Sequence, residues 1–204
     1  MVETVSARVS AAVRRSLWPA AVGLIGLVLV AGRAPATVVV AKDFAALCAE
    51  SDLIFVGTVT EVASRWRDPS QQAIETLVSF ADLTWLRGAP QSSVTLHFAG
   101  GTVGDVREEV AGVPRFAVGE RRMIFAHEGR FVSPIVGFDQ GALRVVDGPD
   151  GPLVVGVDGT GASGPPDAAL RLGSAPDAVA TPVSLDAFLD SVRRELAAPS
   201  HATP

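Results

Sequence analysis

Alternating apolar and polar positions between residues 53 and 157 predict a mainly β domain. Leu53–Val62 is rich in β-branched residues, and Ile74–Leu86 carries apolar side chains at alternate positions before the turn Arg87–Pro90. Val94, Leu96 and Phe98 share one face of the next predicted strand, which places Thr95 and His97 on the other. The remaining predicted strands are Arg122–Ala126, Phe131–Phe138, Ala142–Val146 and Leu153–Val157.

Two irregularities in this pattern predict that the sheet coils. Gly57 interrupts the first strand, and a glycine in mid-strand indicates a close backbone approach or a bend. In the second strand the apolar parity changes near Ala81–Asp82, which predicts a β-bulge inside one long strand.

A helix is predicted at each end of this β region. Asp43 is placed to cap a short helix over Phe44–Glu50, and Ser184 to cap an amphipathic helix over residues 184–197. We expect the second helix to plug or flank the sheet; the alternative is a helix that binds a partner. Together the elements predict a small antiparallel OB-like β-barrel with a short N-terminal helix and a C-terminal amphipathic helix, with an open sandwich as the alternative.

The first 36 residues have the pattern of an export signal. Arginines precede the apolar run Leu17–Val30, and the small residues Ala34–Ala36 follow as a cleavage site. The run is shorter than the roughly 20 apolar residues of a spanning helix. We therefore expect cleavage after Ala36 and a secreted or periplasmic protein. The alternative is an uncleaved, outward-facing protein that meets the membrane only through residues 17–31.

The mature chain is expected to hold one domain. Residues 37–157 form the barrel, 158–183 an irregular Gly/Ala/Pro-rich segment, 184–197 the helix and 198–204 a tail. Cleavage would change the formal charge from −5 to about −8, with Lys42 as the only lysine. Such an acidic chain is not expected to bind nucleic acid. With Cys48 as the only cysteine, no intramolecular disulfide is possible.

The spacing of polar residues predicts neither a metal site nor a cofactor. The three histidines are His97, His127 and His201, and no His-x-x-x-His or His-Glu-x-x-His pattern occurs. Cys48 lies on an apolar helix face, which favours a buried residue over a reactive thiolate. The long stretch Gly100–Glu120 is typical of a functional loop, so an alternative function is a hydrolase with a site formed by this loop and His97 or His127.

Two clusters of residues are better candidates for a recognition surface. Trp66 and Arg67 follow the first strand, and Phe138, Asp139 and Gln140 lie near a later turn. Aromatic and arginine side chains are enriched where proteins bind one another, although Trp66 and Phe138 could instead cap the barrel ends. Gly100 and Gly101, which open the long loop, complete the candidate binding residues.

Several short motifs resemble known exported proteins. The run Leu47–Val59 resembles the start of the netrin-like module of tissue inhibitors of metalloproteinases, and Thr84–Gly88 resembles the end of that module's following strand. Gly100–Gly101, Pro114–Glu120 and Gln140–Gly141 are similar to motifs of a group of exported bacterial proteins without an assigned activity. The resemblance covers about residues 43–147 and implies an OB-type barrel.

The resemblance implies the fold but not the inhibitory activity. The inhibitors chelate the zinc of their target through a mature N-terminal cysteine, whereas the expected mature start here is Thr37–Val40. Cys48 occupies the position of a disulfide-bonded cysteine whose partner is missing. The sequence therefore predicts a non-catalytic, exported module that binds an extracytoplasmic protein, such as a protease. A secreted hydrolase and a membrane-tethered structural module are the alternatives.

Overall fold

The computed structural model describes residues 42–129, 132–156 and 182–198. Within these ranges the chain forms two helices and nine strands. The helices are α1 (Phe44–Glu50) and α2 (Leu185–Ala197). The strands are β1 (Leu53–Trp66), β2 (Ile74–Arg87), β3 (Val94–Ala99), β4 (Gly101–Val103), β5 (Val106–Glu108), β6 (Arg121–Ala126), β7 (Ala142–Gly148), β8 (Gly151–Val155) and β9 (Val183–Ser184).

Seven of these strands form one antiparallel sheet in the order β3-β2-β1-β6-β7-β8-β9, and β4 pairs with β5 in a separate hairpin. The predicted mainly β fold with a helix near each end is confirmed. The predicted barrel closure is wrong, because the sheet stays open with β3 and β9 at its edges. The tight turn between β7 and β8 explains this, since it brings β8 onto the free edge of β7, leaving no place there for β3.

The predicted bulge is present where β1 and β2 pair. Val56 lies opposite Thr84 and Thr58 opposite Ala81, so the step across Gly57 faces an extra residue in β2. Asp82 in this bulge has a φ of 52°. A Cβ on Gly57 would lie 2.5 Å from the side chain of Leu83, so the bulged strand occupies the space that a side chain would need. The glycine therefore marks the close approach that its position predicts.

The sheet carries an apolar core on each face. One core packs β1, β6 and β7 against both helices through residues such as Val56, Phe125 and Phe188. The other packs β1, β2 and β3 against residues such as Ile124 of β6 and Phe116. Because successive residues of a strand point to opposite faces, β1 supplies side chains to both cores in turn.

Both helices begin at the predicted caps. The Asp43 carboxylate accepts the Ala46 amide at 2.7 Å, and the Ser184 hydroxyl accepts the Ala187 amide at 3.4 Å. Helix α2 buries its apolar stripe against the sheet, with Phe188 4 % exposed, as expected for a flanking helix. None of the described helices is long and apolar enough to cross a membrane.

The structure differs from the predicted elements in two regions. In place of a strand over Phe131–Phe138, the described residues 132–138 form turns with a single bridge between Ile135 and Ala126. The stretch Gly100–Glu120 contains the β4–β5 hairpin. The predicted signal at 1–36, almost all of the irregular segment 158–183, and the tail beyond residue 198 lie outside the described residues.

Candidate recognition surface

Gly100 and Gly101 let the chain fold back tightly after β3. Both have positive φ, 87° and 139°. The Gly100 amide donates to the Ile74 carbonyl at 2.8 Å, and the Gly100 carbonyl accepts the Thr76 hydroxyl at 2.7 Å. A Cβ on Gly101 would collide with the hydroxyls of Ser64 and Thr76. These two glycines therefore set the position of the β4–β5 hairpin over the sheet.

A carboxylate fastens the other end of the same hairpin. Glu108 Oε2 accepts the backbone amide of Ile74 at 2.8 Å, at the start of β2. The hairpin is thus held to the sheet at Gly100 and at Glu108. This part of the predicted loop Gly100–Glu120 is therefore an ordered hairpin that is fixed to the sheet.

A groove of about 330 Å³ lies between this hairpin, the segment that follows it, and the face of β1–β3. Apolar side chains that include Val78, Phe98 and Phe116 line it. Three charged lining residues are exposed, and among them Glu109 forms ion pairs with both Arg107 and Arg115. The groove therefore combines an apolar lining with exposed charges of both signs.

Arg122 anchors the segment that closes the groove. Its guanidinium, 4 % exposed, donates to Glu120 Oε2 at 2.6 Å and to the backbone carbonyls of Arg115 and Ala142 at 3.0 and 3.2 Å. It also lies 5.3 Å from the ring centroid of Phe116. A buried arginine thus holds the segment Pro114–Glu120, which is one of the motifs similar to those of exported bacterial proteins.

Glu120 is held in its charged form by the same arrangement. Burial would raise the pKa of this carboxyl, but hydrogen bonds from Arg122 and from the Ala117 amide outweigh burial and lower the pKa below its ordinary value. The carboxylate is thus a fixed acceptor that joins the segment to β6.

Phe138 is an exposed aromatic residue on a strained backbone. Its φ is 66°, in the left-handed region, and the residue is 42 % exposed. A Cβ on Gly112 would lie 3.2 Å from the Phe138 ring, so the ring stands over the chain that borders the groove. Phe138 does not line the groove but stands beside it.

The other two candidate residues near Phe138, Asp139 and Gln140, have structural partners. Gln140 is buried; its Oε1 accepts the Lys42 amide at 2.7 Å, and its Nε2 donates to the Gly137 carbonyl at 3.1 Å. The Asp139 carbonyl accepts the Ala142 amide at 3.0 Å at the start of β7. Among the three residues predicted here, Phe138 is the one that presents a large apolar surface to solvent.

Trp66 and Arg67 lie at a different place from the groove. Trp66 is the last residue of β1, opposite Ile74, and is half-buried. Arg67 is exposed, and its amide donates to the Ala73 carbonyl at 2.9 Å. Neither residue lines the groove. The structure thus groups Gly100 and Gly101 with the groove and leaves Trp66 and Arg67 outside it.

His97 belongs to a polar cluster on the opposite face of β3 from the groove. Its Nδ1 lies 3.2 Å from Glu75 Oε2, and Nε and Nη2 of Arg65 both lie 2.7 Å from Glu75 Oε1. Burial would raise the pKa of the Glu75 carboxyl, but hydrogen bonds from Arg65 and His97 lower it below its ordinary value. His97 therefore takes part in a hydrogen-bonded cluster across three strands, and groove-lining Phe98 faces away from it.

Sequence reasoning missed Glu75 and Arg65. Glu75 occupies the polar parity of β2 and looks solvent-exposed in the sequence, yet it is 5 % exposed. Arg65 and Glu75 are directly opposite each other in the β1–β2 hairpin. Counting the register back from the turn between these strands would have paired them.

The remaining candidate groups have local roles. His127 Nδ1 lies 3.7 Å from Asp52 Oδ2, and the carboxylate also accepts the Glu128 amide at 3.0 Å. Cys48 is buried, and burial raises the pKa of its thiol to about 12. No group of three or more potential metal ligands occurs within the described ranges.

The two motifs that carry the inhibitor-like resemblance touch each other. Arg87, in the second motif, donates to the carbonyls of Cys48 and Ser51 at 2.6 and 2.9 Å, at the end of α1 in the first motif. Comparisons with protein-family models, curated proteins and solved structures gave no match to this chain.

Proposed function

We propose that this chain is an exported, non-catalytic module that binds another protein outside the cytoplasm. The export pattern of residues 1–36 supports the location, and the motifs at Leu47–Val59 and Thr84–Gly88 support a distant kinship with the netrin-like module. One observation carries the binding role: Phe138 is a solvent-exposed aromatic residue on a left-handed backbone.

The conformation of Phe138 is costly for folding alone. A non-glycine residue in the left-handed region costs roughly 1–2 kcal/mol, and asparagine or glycine would lower that cost. With 42 % of the residue exposed, Phe138 recovers only part of the apolar burial that an aromatic side chain can supply. A partner that covers the ring would recover the remainder, as aromatic anchors do in protein interfaces.

The groove beside Phe138 supports the same role. An apolar centre within a charged rim is the usual anatomy of a protein interface. Arg107, Glu109 and Arg115 supply exposed charges, and side chains such as Phe98 and Phe116 supply the apolar lining. The partner is expected to place an apolar side chain over this groove and against Phe138.

The test compares capture by three forms of the full chain. Wild type, Phe138→Asn and the control Val118→Ala are immobilised and exposed to envelope and secreted fractions of the source organism. Val118 is 65 % exposed and does not line the groove, so its substitution removes an exposed apolar side chain without changing the groove's lining. We expect wild type and Val118→Ala to retain a protein that Phe138→Asn loses, although Phe138→Asn melts at the same or a higher temperature.

The proposal is overturned if Phe138→Asn retains the same protein as wild type, or if nothing is retained even under mild crosslinking. Trp66→Ala, measured in parallel, decides whether the end of β1 belongs to the surface. The secreted hydrolase and the membrane-tethered structural module stay predictions.

A further inference from the structure

The outer edge of β3 carries backbone groups that face away from the sheet. The Gly100 amide bonds toward β2, at the Ile74 carbonyl, whereas the Ala99 amide bonds outward, to the Val132 carbonyl at 2.9 Å. Because bonding direction alternates along an antiparallel strand, Leu96 and Phe98 bond to β2. Thr95 and His97, which have the parity of Ala99, therefore direct their N–H and C=O groups outward.

These outward groups have no backbone partner within the described ranges. The outward bond at Ala99 reaches Val132, and the main chain of Thr95 or His97 makes no corresponding bond to any other described residue. Both residues are exposed. The unpaired groups recur every second residue, which is the spacing of an incoming strand.

The two edges of the sheet differ in how they are protected. β9 has only two residues and leads directly into α2, so it offers little backbone to a partner. β3 has six residues and contains no lysine, proline or acidic residue. Short strands, charges and prolines are the usual means by which proteins prevent pairing at an edge. As far as the described residues show, β3 is the one of these two edges that is open to pairing.

We propose that the edge of β3 binds an extended segment of the partner protein as an additional strand, through the backbone of Thr95 and His97. This inference rests on the proposed protein-binding function and states how the partner is held. The free edge of β3 stops at Ala99, where the amide is bonded to the Val132 carbonyl, and Val132 is 47 % exposed. The bound segment is therefore expected to carry an apolar residue at the end that meets Val132.

A segment of another protein fits this edge better than a second copy of the chain. Six residues span only about 20 Å, and strands lie about 4.8 Å apart. Pairing of two such edges would bury far less than the roughly 800 Å² per partner of a stable interface. An extended segment that continues past Ala99 onto exposed Val132 adds contacts that two paired edges lack.

The probe is an extended decapeptide, selected for binding to the full chain from a displayed library of random decapeptides. Its affinity is measured for wild type, Thr95→Pro and the matched control Thr95→Ala. Both variants lose the hydroxyl that bonds Ser79, but only proline removes the outward N–H. The bonds to β2 remain, because that N–H does not face β2. We expect Thr95→Ala to bind like wild type and Thr95→Pro about tenfold more weakly or worse.

Two further measurements keep the proposal testable if Thr95→Pro does not fold. Binding should slow hydrogen exchange at the Thr95 and His97 amides of wild type and leave those of Leu96 and Phe98 unchanged. N-methylation of alternate peptide amides should abolish binding in one register and not in the other.

Several results would overturn the strand-addition proposal. The first is that Thr95→Pro folds and binds the peptide as well as Thr95→Ala does. The second is that the library yields no binder. The third is that wild type forms dimers in sedimentation and Thr95→Pro does not. The last result would make a second copy the occupant. Capture of a partner that survives Thr95→Pro but not Phe138→Asn would overturn strand addition alone. The protein-binding proposal itself would instead fail if Phe138→Asn captured the same partner as wild type.

Discussion

Gly101 has no room for a side chain. We predict that Gly101→Ala lowers the free energy of unfolding by about 3 kcal/mol, because its Cβ would collide with Ser64 and Thr76 on a backbone of positive φ. Gly104 also has positive φ, but nothing lies within 4 Å of a Cβ there, so Gly104→Ala should cost only about 1 kcal/mol. Urea unfolding of both variants measures the difference, and equal losses would mean that the hairpin tolerates displacement.

Glu75 should make stability depend on acidity. Its folded pKa lies below the ordinary 4.5, so its stabilising effect is present above pH 4.5 and is lost as the pH falls through the folded pKa. We predict that Glu75→Gln is less stable than wild type at pH 7, and that its stability falls less steeply below pH 4.5. Urea unfolding between pH 7 and about pH 3 tests this; parallel curves would contradict the linkage.

At the residue scale, the sequence predicted which side chains are exposed or buried where the periodicity of a strand or helix decides it. The exposed face of His97 and the burial of Cys48 follow from position on a strand and on a helix. The partners of these residues depend on strand register and were missed, as with Glu75 and Arg65. The left-handed backbone of Phe138 was also missed, because side-chain type alone favours the ordinary region for phenylalanine.

Helix α1 depends on a residue from β2. Arg87 supplies charged donors to the carbonyls of Cys48 and Ser51, so Arg87→Ala should destabilise the chain by about 2 kcal/mol. The control is Arg193→Ala, which removes an exposed ion pair with Asp190 and should cost at most about 0.5 kcal/mol. Thermal or urea unfolding measures both. Similar small losses would show that α1 does not need this contact.

Helix α2 should be an integral part of the fold. Phe188 packs edge-on against Phe44 and Phe125, with ring centroids 5.7 and 6.4 Å apart. Phe188→Ala should therefore cost about 3 kcal/mol or more and expose α2 to proteolysis. Phe188→Leu retains most of the volume and should cost less than half as much. Unchanged resistance of Phe188→Ala to protease would favour a helix that packs only loosely.

At the element scale, local pattern predicted the strands that alternate and the helices that have caps. It failed for the predicted strand Phe131–Phe138, because the described residues 132–138 form turns in which Ile135 and Val136 are buried. It also failed for closure of the barrel, since local pattern does not decide whether β3 or β8 takes the free edge of β7. Such pairings join residues far apart in sequence and depend on the whole topology.

For the whole molecule, the export pattern makes a direct prediction. Expression in a host that exports the chain should yield a product whose intact mass begins at Thr37, because Ala34–Ala36 fits a signal peptidase. A product that retains residues 1–36 would favour the membrane-tethered alternative. Either mass also fixes which formal charge, −8 or −5, the working protein carries.

The shared strand β1 has a consequence for how the molecule denatures. Ile54 and Val56 contribute to the core beneath the helices, while Phe55 and Val59 contribute to the other. Neither core can lose its packing without disturbing the strand that the other core requires. The described domain should therefore unfold in one cooperative transition, with no populated intermediate in which half of it stays native.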